Sequence, residues 1–242
     1  MKSLIKFQYA YLFTKKTQWL MGLFIGLTLV ILLSQSQFQL SFASRIIYQE
    51  TLATEYYFEM VELYKQSVII LMIYLIYQIF VKNSCDILLI QRTNRLKVFF
   101  SKHIIGLVVI GLYSLYYQSV YGISATVLSI PVTQETWINA VLYSLIFALI
   151  YYHLLLVIIL LSHHLFSLLL VYLAMNFGNI LIDYLVDIDS LSFFKRLYIM
   201  IFPNIHILSD QSLSLINSLP YVIFYILVLK LASVILFYYK EF

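Results

Sequence analysis

The sequence predicts an all-α polytopic membrane protein. It has six transmembrane helices preceded by an N-terminal interfacial helix, with N-in and C-in topology. Three observations predict this fold class. Of the 242 residues, 63% are hydrophobic and 11% charged, against about 25% charged in a soluble domain. Apolar stretches recur at about 20 residues, the length that crosses about 30 Å of hydrocarbon as a helix. The basic residues lie between those stretches, so the net charge of +4 is attributed to topology and not to nucleic-acid binding. Aromatics reach 17%, with 22 Tyr, whose amphipathic rings favour the headgroup level.

Residues 1–17 place Leu4, Ile5, Tyr9, Leu12 and Phe13 at spacings of three and four, with Lys2, Lys6, Lys15 and Lys16 able to meet lipid phosphates. That is the pattern of a helix lying in the interface. Trp19 marks the turn into the bilayer, and the run from there to Leu33 lacks a small-x-small cleavage site, so it is expected to be retained as the first span. The spans are placed at about 18–38, 64–82, 104–129, 137–161, 165–186 and 219–239. Lys65, Gln66 and Gln78 interrupt the second. A hairpin with Ser129, Pro131 and Glu135 separates the third from the fourth, and Ser162, His163 and His164 join the fourth to the fifth. Longer connections cover 39–63 and 187–218. The second holds Phe193-Phe194, Lys195-Arg196 and Pro203-Asn204, and is apolar enough either to dip into the membrane or to form surface helices. No linker or repeat divides residues 1–242, which are expected to form one transmembrane domain.

Orientation follows from the cations. With the N-terminus inside, Lys2, Lys6, Lys15, Lys16, Lys82, Arg92, Arg95, Lys97, Lys102 and Lys240 are cytosolic, with Asp86 and Glu241 as the only acids there. Arg45, Lys65, Lys195 and Arg196 lie outside, with nearly all the remaining acids.

The cytosolic segment from Lys82 to His103 is the most informative. It is basic, as a positive-inside loop must be, yet it encloses the apolar turn Ile87-Leu88-Leu89-Ile90. A short apolar helix flanked by charge suits a membrane protein that presses against a soluble partner. Asp86 and Leu88-Leu89 after the second span, the polar break Arg92-Thr93-Asn94-Arg95 and Lys102 entering the third span resemble the permeases of type 2 ATP-binding-cassette (ABC) exporters. So do the interfacial helix before the first span and the long outer connection before the last. Where that family has Pro or Ser in the break, this chain has Thr93 and Asn94. The resemblance implies a coupling helix at about 83–92 that docks on a separate ATPase through Asp86, Ile87, Leu88, Leu89, Arg92 and Arg95. It also implies a dimer of two six-span subunits meeting at the first and fifth spans, most simply a homodimer. The chain has no G-x-x-x-x-G-K-[ST] phosphate loop, so ATP and Mg belong to the partner ATPase, and no cofactor is expected in this chain. Small permeases of this shape resemble those that export, or confer immunity to, peptide toxins and bacteriocins in the bacterial cytoplasmic membrane.

Three further groups are candidates. Asn176, Asn179, Asp183 and Asp187 in and beyond the fifth span step by three and four along one helical face. They fit either interhelical hydrogen bonding or a polar wall of a transport pathway. Gly22 and Gly26 form a GxxxG pattern, and Ala174 with Gly178 repeats the spacing. Such residues let helices approach closely, within one subunit or across a seam. Glu50, Glu55, Glu59 and Glu62 form an acidic group in the outer connection, and the last three share a face of an expected interfacial helix. That face is either simply solvated or an acidic rim that meets cationic amphipathic peptides.

Catalytic and metal chemistry find no support. His163 and His164 are adjacent without Cys or carboxylate neighbours, His153 stands alone on an apolar helix, and His103 and His206 are isolated. Cys85 is the single cysteine, so no intrachain disulfide forms. Gly122-Ile123-Ser124-Ala125 is a faint match to a rhomboid serine site without its last glycine, and no H-E-x-x-H motif occurs. The alternatives to an exporter are a substrate-capture subunit of an energy-coupling importer and a secondary transporter. Against the latter stand the lack of repeats and the few ionisable residues in the spans.

Overall fold

A computed structural model describes residues 2–12, 14, 18–19, 22–27, 29–30, 49–81, 94–127, 134–174 and 215–239. These residues are helical apart from short turns and caps, with no strand among them. In chain order the helices are α1 (Lys2–Leu12), α2 (Gln49–Phe80), α3 (Arg95–Val127), α4 (Gln134–Ser162), α5 (Leu165–Ala174) and α6 (Leu215–Tyr239). Four are long and apolar enough to cross a membrane, over Leu63–Phe80, Arg95–Thr126, Trp137–Ser162 and Pro220–Tyr239. The shortest of these stretches has 18 residues, about 27 Å at 1.5 Å per residue. The chain is therefore a membrane-embedded helical protein.

The second, third, fourth and sixth expected spans each have a counterpart among these helices. The first is represented by helical residues at 18–19, 22–27 and 29–30, and the fifth by α5; the rest of both lies outside the described residues. Two boundaries differ from expectation. The second span begins at Leu63, close to the expected residue 64, but its helix runs for 32 residues from Gln49. Glu55, Glu59 and Glu62 therefore ride on its N-terminal extension instead of on a separate interfacial helix. Residues 49–63 contain no Gly or Pro to stop the helix, so it continues from the polar into the apolar stretch. The third helix begins at Arg95, not near 104, because Asn94 caps it there.

The chain divides into two compact units, Met1–Tyr152 with Glu241–Phe242, and His153–Lys240. In the first, α1 packs on α3, with Leu4 and Ile5 half-buried and Phe7 and Tyr9 exposed. Residues 22–27 also lie along α3. Tyr116 donates to the Ile25 carbonyl at 3.2 Å, and the rings of Phe24 and Tyr113 are 5.9 Å apart.

The core of this unit is formed by α2, α3 and α4 around Tyr64. Its hydroxyl donates to the Ser144 carbonyl at 2.8 Å and meets the Ser114 hydroxyl at 2.6 Å. Ser114 Oγ also lies 2.9 Å from the Ile110 carbonyl, so its one proton is shared between that carbonyl and the tyrosine oxygen. Tyr117 donates to Met60 O at 2.7 Å, its ring edge-on to Tyr64 at 5.1 Å, with Phe147 on another side of Tyr64 at 6.2 Å. In lipid the hydrophobic effect does not draw helices together, so such hydrogen bonds and close contacts do.

In the second unit, α4 ends at Ser162 and His163 adopts a positive φ of 58°. Its amide bonds back to Ile159 O at 2.9 Å, an αL helix end in a place that usually takes glycine. Ser167 meets the Ser162 hydroxyl and donates to His164 O at 2.6 Å, which starts α5 directly. Within α6, Val222, Ser233 and Phe237 are buried while Phe224, Leu227 and Leu231 are exposed.

Candidate functional site

The best-defined constellation stands at the base of the 82–93 loop, where α2 ends and α3 begins. Asn94 forms the N-cap of α3. Its Oδ1 accepts the Leu96 amide at 3.0 Å, and its carbonyl accepts those of Lys97 at 2.9 Å and Val98 at 3.2 Å. Asn is favoured there because its side chain satisfies an amide that the first helical turn leaves without an acceptor. The same turn carries Arg95 and Lys97 and no acid.

Two turns further along, Lys102 is fully buried. Its Nζ donates to the Ile79 carbonyl at 2.6 Å and lies 5.5 Å from the Phe80 ring centroid. The Ile79 carbonyl is among the last of α2, where no later amide of the helix is available. As a cation, the group sits at the negative end of a helix dipole and over an aromatic face. These are effects of about 0.3–2 kcal/mol and about 0.5–2 kcal/mol respectively. They offset the cost of taking an ammonium out of water.

Aromatic contacts carry this junction onward to α4. Phe80 and Phe99 are 6.0 Å apart, Phe99 stacks on His103 at 5.6 Å, and His103 lies 5.3 Å from Tyr152. The Tyr152 hydroxyl reaches the His103 carbonyl at 3.4 Å. Gly106 lets Tyr152 cross: a Cβ there would overlap its hydroxyl and stand 2.9 Å from its Cζ. A lysine, three aromatic or imidazole rings, a tyrosine and a glycine thus join the three helices at one end. Among the described residues no group of His, Cys, Asp and Glu could hold a metal ion.

The expected site residues fall unevenly on this frame. Arg95 opens α3, half-buried, whereas Asp86, Ile87, Leu88, Leu89 and Arg92 lie outside the described residues, as does Cys85. Asn176, Gly178, Asn179, Asp183 and Asp187 also lie outside them, as do residues 187–214 of the connection 187–218, whose last residues begin α6. Glu50, Glu55, Glu59 and Glu62 have places on α2, and their side chains lie outside the description. Gly22 and Gly26 are exposed, with no atom within 4 Å of the position a Cβ would take. Their faces are therefore open among the described residues. His103 and His153 are buried, and His163 and His164 lie in the exposed turn after α4.

Sequence reasoning left the geometry of the junction unread: Asn94 stood only in the polar break and Lys102 only at the entry of the third span, and Gly106 and Tyr152 were not singled out. Asn94 was legible as an Asn directly before a helical run, the commonest cap signal. Lys102 carried half a signal, a cation well inside an apolar helix, which in a membrane needs a partner. The fit of Tyr152 on Gly106 had none, since the two residues meet only when α3 and α4 pack.

Compared with known proteins, the chain matches no family model, no curated protein and no solved structure.

Proposed function

We propose that this chain is the membrane-spanning permease subunit of an ATP-driven ABC exporter of the bacterial cytoplasmic membrane. It spans the bilayer six times with both termini inside, α1 lying along the inner interface. A separate cytosolic ATPase, which holds ATP and Mg, docks on the helix at about 83–92 through Ile87, Leu88 and Leu89, with Asp86, Arg92 and Arg95 around them. Closure of the ATPase pushes on that helix and shifts α2 and α3. An amphipathic cargo, in the narrowest form a peptide, then leaves past Asn176, Asn179 and Asp183 and the acidic rim of Glu50, Glu55, Glu59 and Glu62. Two copies of the chain meet along the first and fifth spans, with Gly22, Gly26 and Gly178 at the seam.

One observation carries the reading. An apolar turn is enclosed in a basic loop, and that loop is slung between two long apolar helices joined at their loop ends by Lys102. The open faces of Gly22 and Gly26 support the seam. The test is a detergent pull-down of the full chain co-expressed with the ATPase encoded beside it. Wild type is expected to retain the ATPase stoichiometrically, and Leu88→Asp with Leu89→Asp to lose it while still inserting. Capture by the double variant at the wild-type level removes the coupling helix. Absence of any ATPase from the wild-type sample removes the exporter reading and favours a secondary transporter.

A further inference from the structure

We propose that Lys102 is a latch: it clamps the C-terminal end of α2 to α3, so that the two stems of the 82–93 loop move as one body. This rests on the reading that the loop receives a load from an ATPase, and it specifies how that load enters the membrane.

The argument begins with the placement of the lysine. Lys97, in the first turn of α3, is exposed, as a lysine beside water is expected to be. Lys102, five residues later, has a side chain long enough to snorkel toward the same water but is fully buried. It turns across to the neighbouring helix and reaches the Ile79 carbonyl at 2.6 Å. A backbone carbonyl at a helix end is an anchor that moves only when the helix moves, unlike a side-chain partner, which can follow the lysine. The contact therefore ties two backbones through a single long side chain. Ring packing keeps the lysine in this pose: Phe80 lies 5.5 Å from Nζ, and Phe99, one turn before Lys102, packs on Phe80 at 6.0 Å. The contact from Phe99 through His103 to Tyr152 extends the clamp to α4.

The consequence is directional. A loop between two independent helices takes up a push by spreading its stems. A loop whose stems are fixed to each other passes the push to both helices together. Lys102 is thus a positioning residue for the loop, set behind the surface that would meet a partner.

The test uses the full chain in detergent, with Cys85→Ser removing its only thiol. Spin labels at Val81→Cys and Lys97→Cys, on the two stems, report a distance distribution. With Lys102 present the distribution is expected to be narrow. Lys102→Met is expected to broaden it at least twofold, and Lys102→Arg, which keeps a long cationic donor, to narrow it again. Tyr64→Phe, which loosens the far end of the same three helices, is expected to leave it narrow. An unchanged width in Lys102→Met overturns the proposal, and so does equal broadening in Tyr64→Phe, which would reflect general loosening.

Should Lys102→Met fail to insert, reductive methylation of the native chain decides. Lys97 is expected to be modified while Lys102 is protected until denaturation, and equal rates overturn the latch. Neither measurement involves the ATPase. A broadened distribution with no ATPase captured keeps the latch and removes its load. A distribution that stays narrow in Lys102→Met removes the latch whatever the pull-down returns.

Discussion

The two ends of the α2–α3–α4 core are held together by different chemistry. At the end of Met60 and Tyr64, neutral hydroxyls bond to one another and to backbone carbonyls inside continuous helices. At the loop end, one ammonium bonds to a carbonyl where a helix stops, and the tip of a tyrosine packs against a glycine. Hydroxyls can be accommodated at many depths of a membrane bundle, because every helix offers carbonyls and the cost of a stray hydroxyl is modest. A cation is costly there and is placed where a helix terminus supplies an unsatisfied acceptor and a dipole. The first end is therefore general adhesive between helices, whereas the second is bound to the C-terminal end of α2.

The largest effect that sharpens this contrast is expected at the loop end. Gly106→Ala forces Tyr152 off α3 and should cost about 1–3 kcal/mol, the range for overpacking. Thermal melting of the full chain in detergent measures it. Adding Tyr152→Phe, which removes the overlapping oxygen, should recover part of the loss. A Gly106→Ala melt equal to wild type would mean that the close approach is not tight.

A smaller loss is expected at the other end. Tyr64→Phe gives up its bonds to Ser114 and Ser144, and interhelical hydrogen bonds in membranes are worth about 0.6 kcal/mol on average, up to about 1.7. The same melting experiment ranks the two ends, and a cost above that of Gly106→Ala would invert the comparison.

The smallest effect is expected one turn beyond Ser114. The Gln118 side chain is buried, and its Oε1 has no hydrogen-bond partner among the described residues. Replacing such a group with an apolar one of similar size is neutral or stabilising. Gln118→Leu should therefore melt within about 0.5 kcal/mol of wild type or above it. A clear loss of stability would show that Gln118 holds a water molecule or another donor in the membrane.

Much of the architecture was legible in the chain because hydrocarbon thickness imposes a length on every span. The runs at 137–161 and 219–239 are apolar on every side and correspond closely to Trp137–Ser162 and Pro220–Tyr239. Boundaries were less legible. Hydropathy marks where a helix enters lipid, whereas α2 and α3 extend beyond that point, to Gln49 and to the Asn94 cap. Of the candidate site, the basic loop with its apolar turn stands out in the sequence, because charge and hydropathy are local properties. The junction beneath it does not, because Ile79 and Lys102 are separated by the whole loop, and Gly106 and Tyr152 by most of α3 and the first part of α4.

By itself, the sequence determined that this is a helical membrane protein, about where four of its spans lie, and that one connection is basic with an apolar turn. Those features follow from transfer free energies and periodicity, which add up residue by residue along the chain. Only the tertiary structure decided that Lys102 turns to the end of α2 and that Tyr152 rests on Gly106. Those outcomes depend on which helices become neighbours and at what rotation. No local pattern sets that rotation; it is chosen by the packing of the whole core.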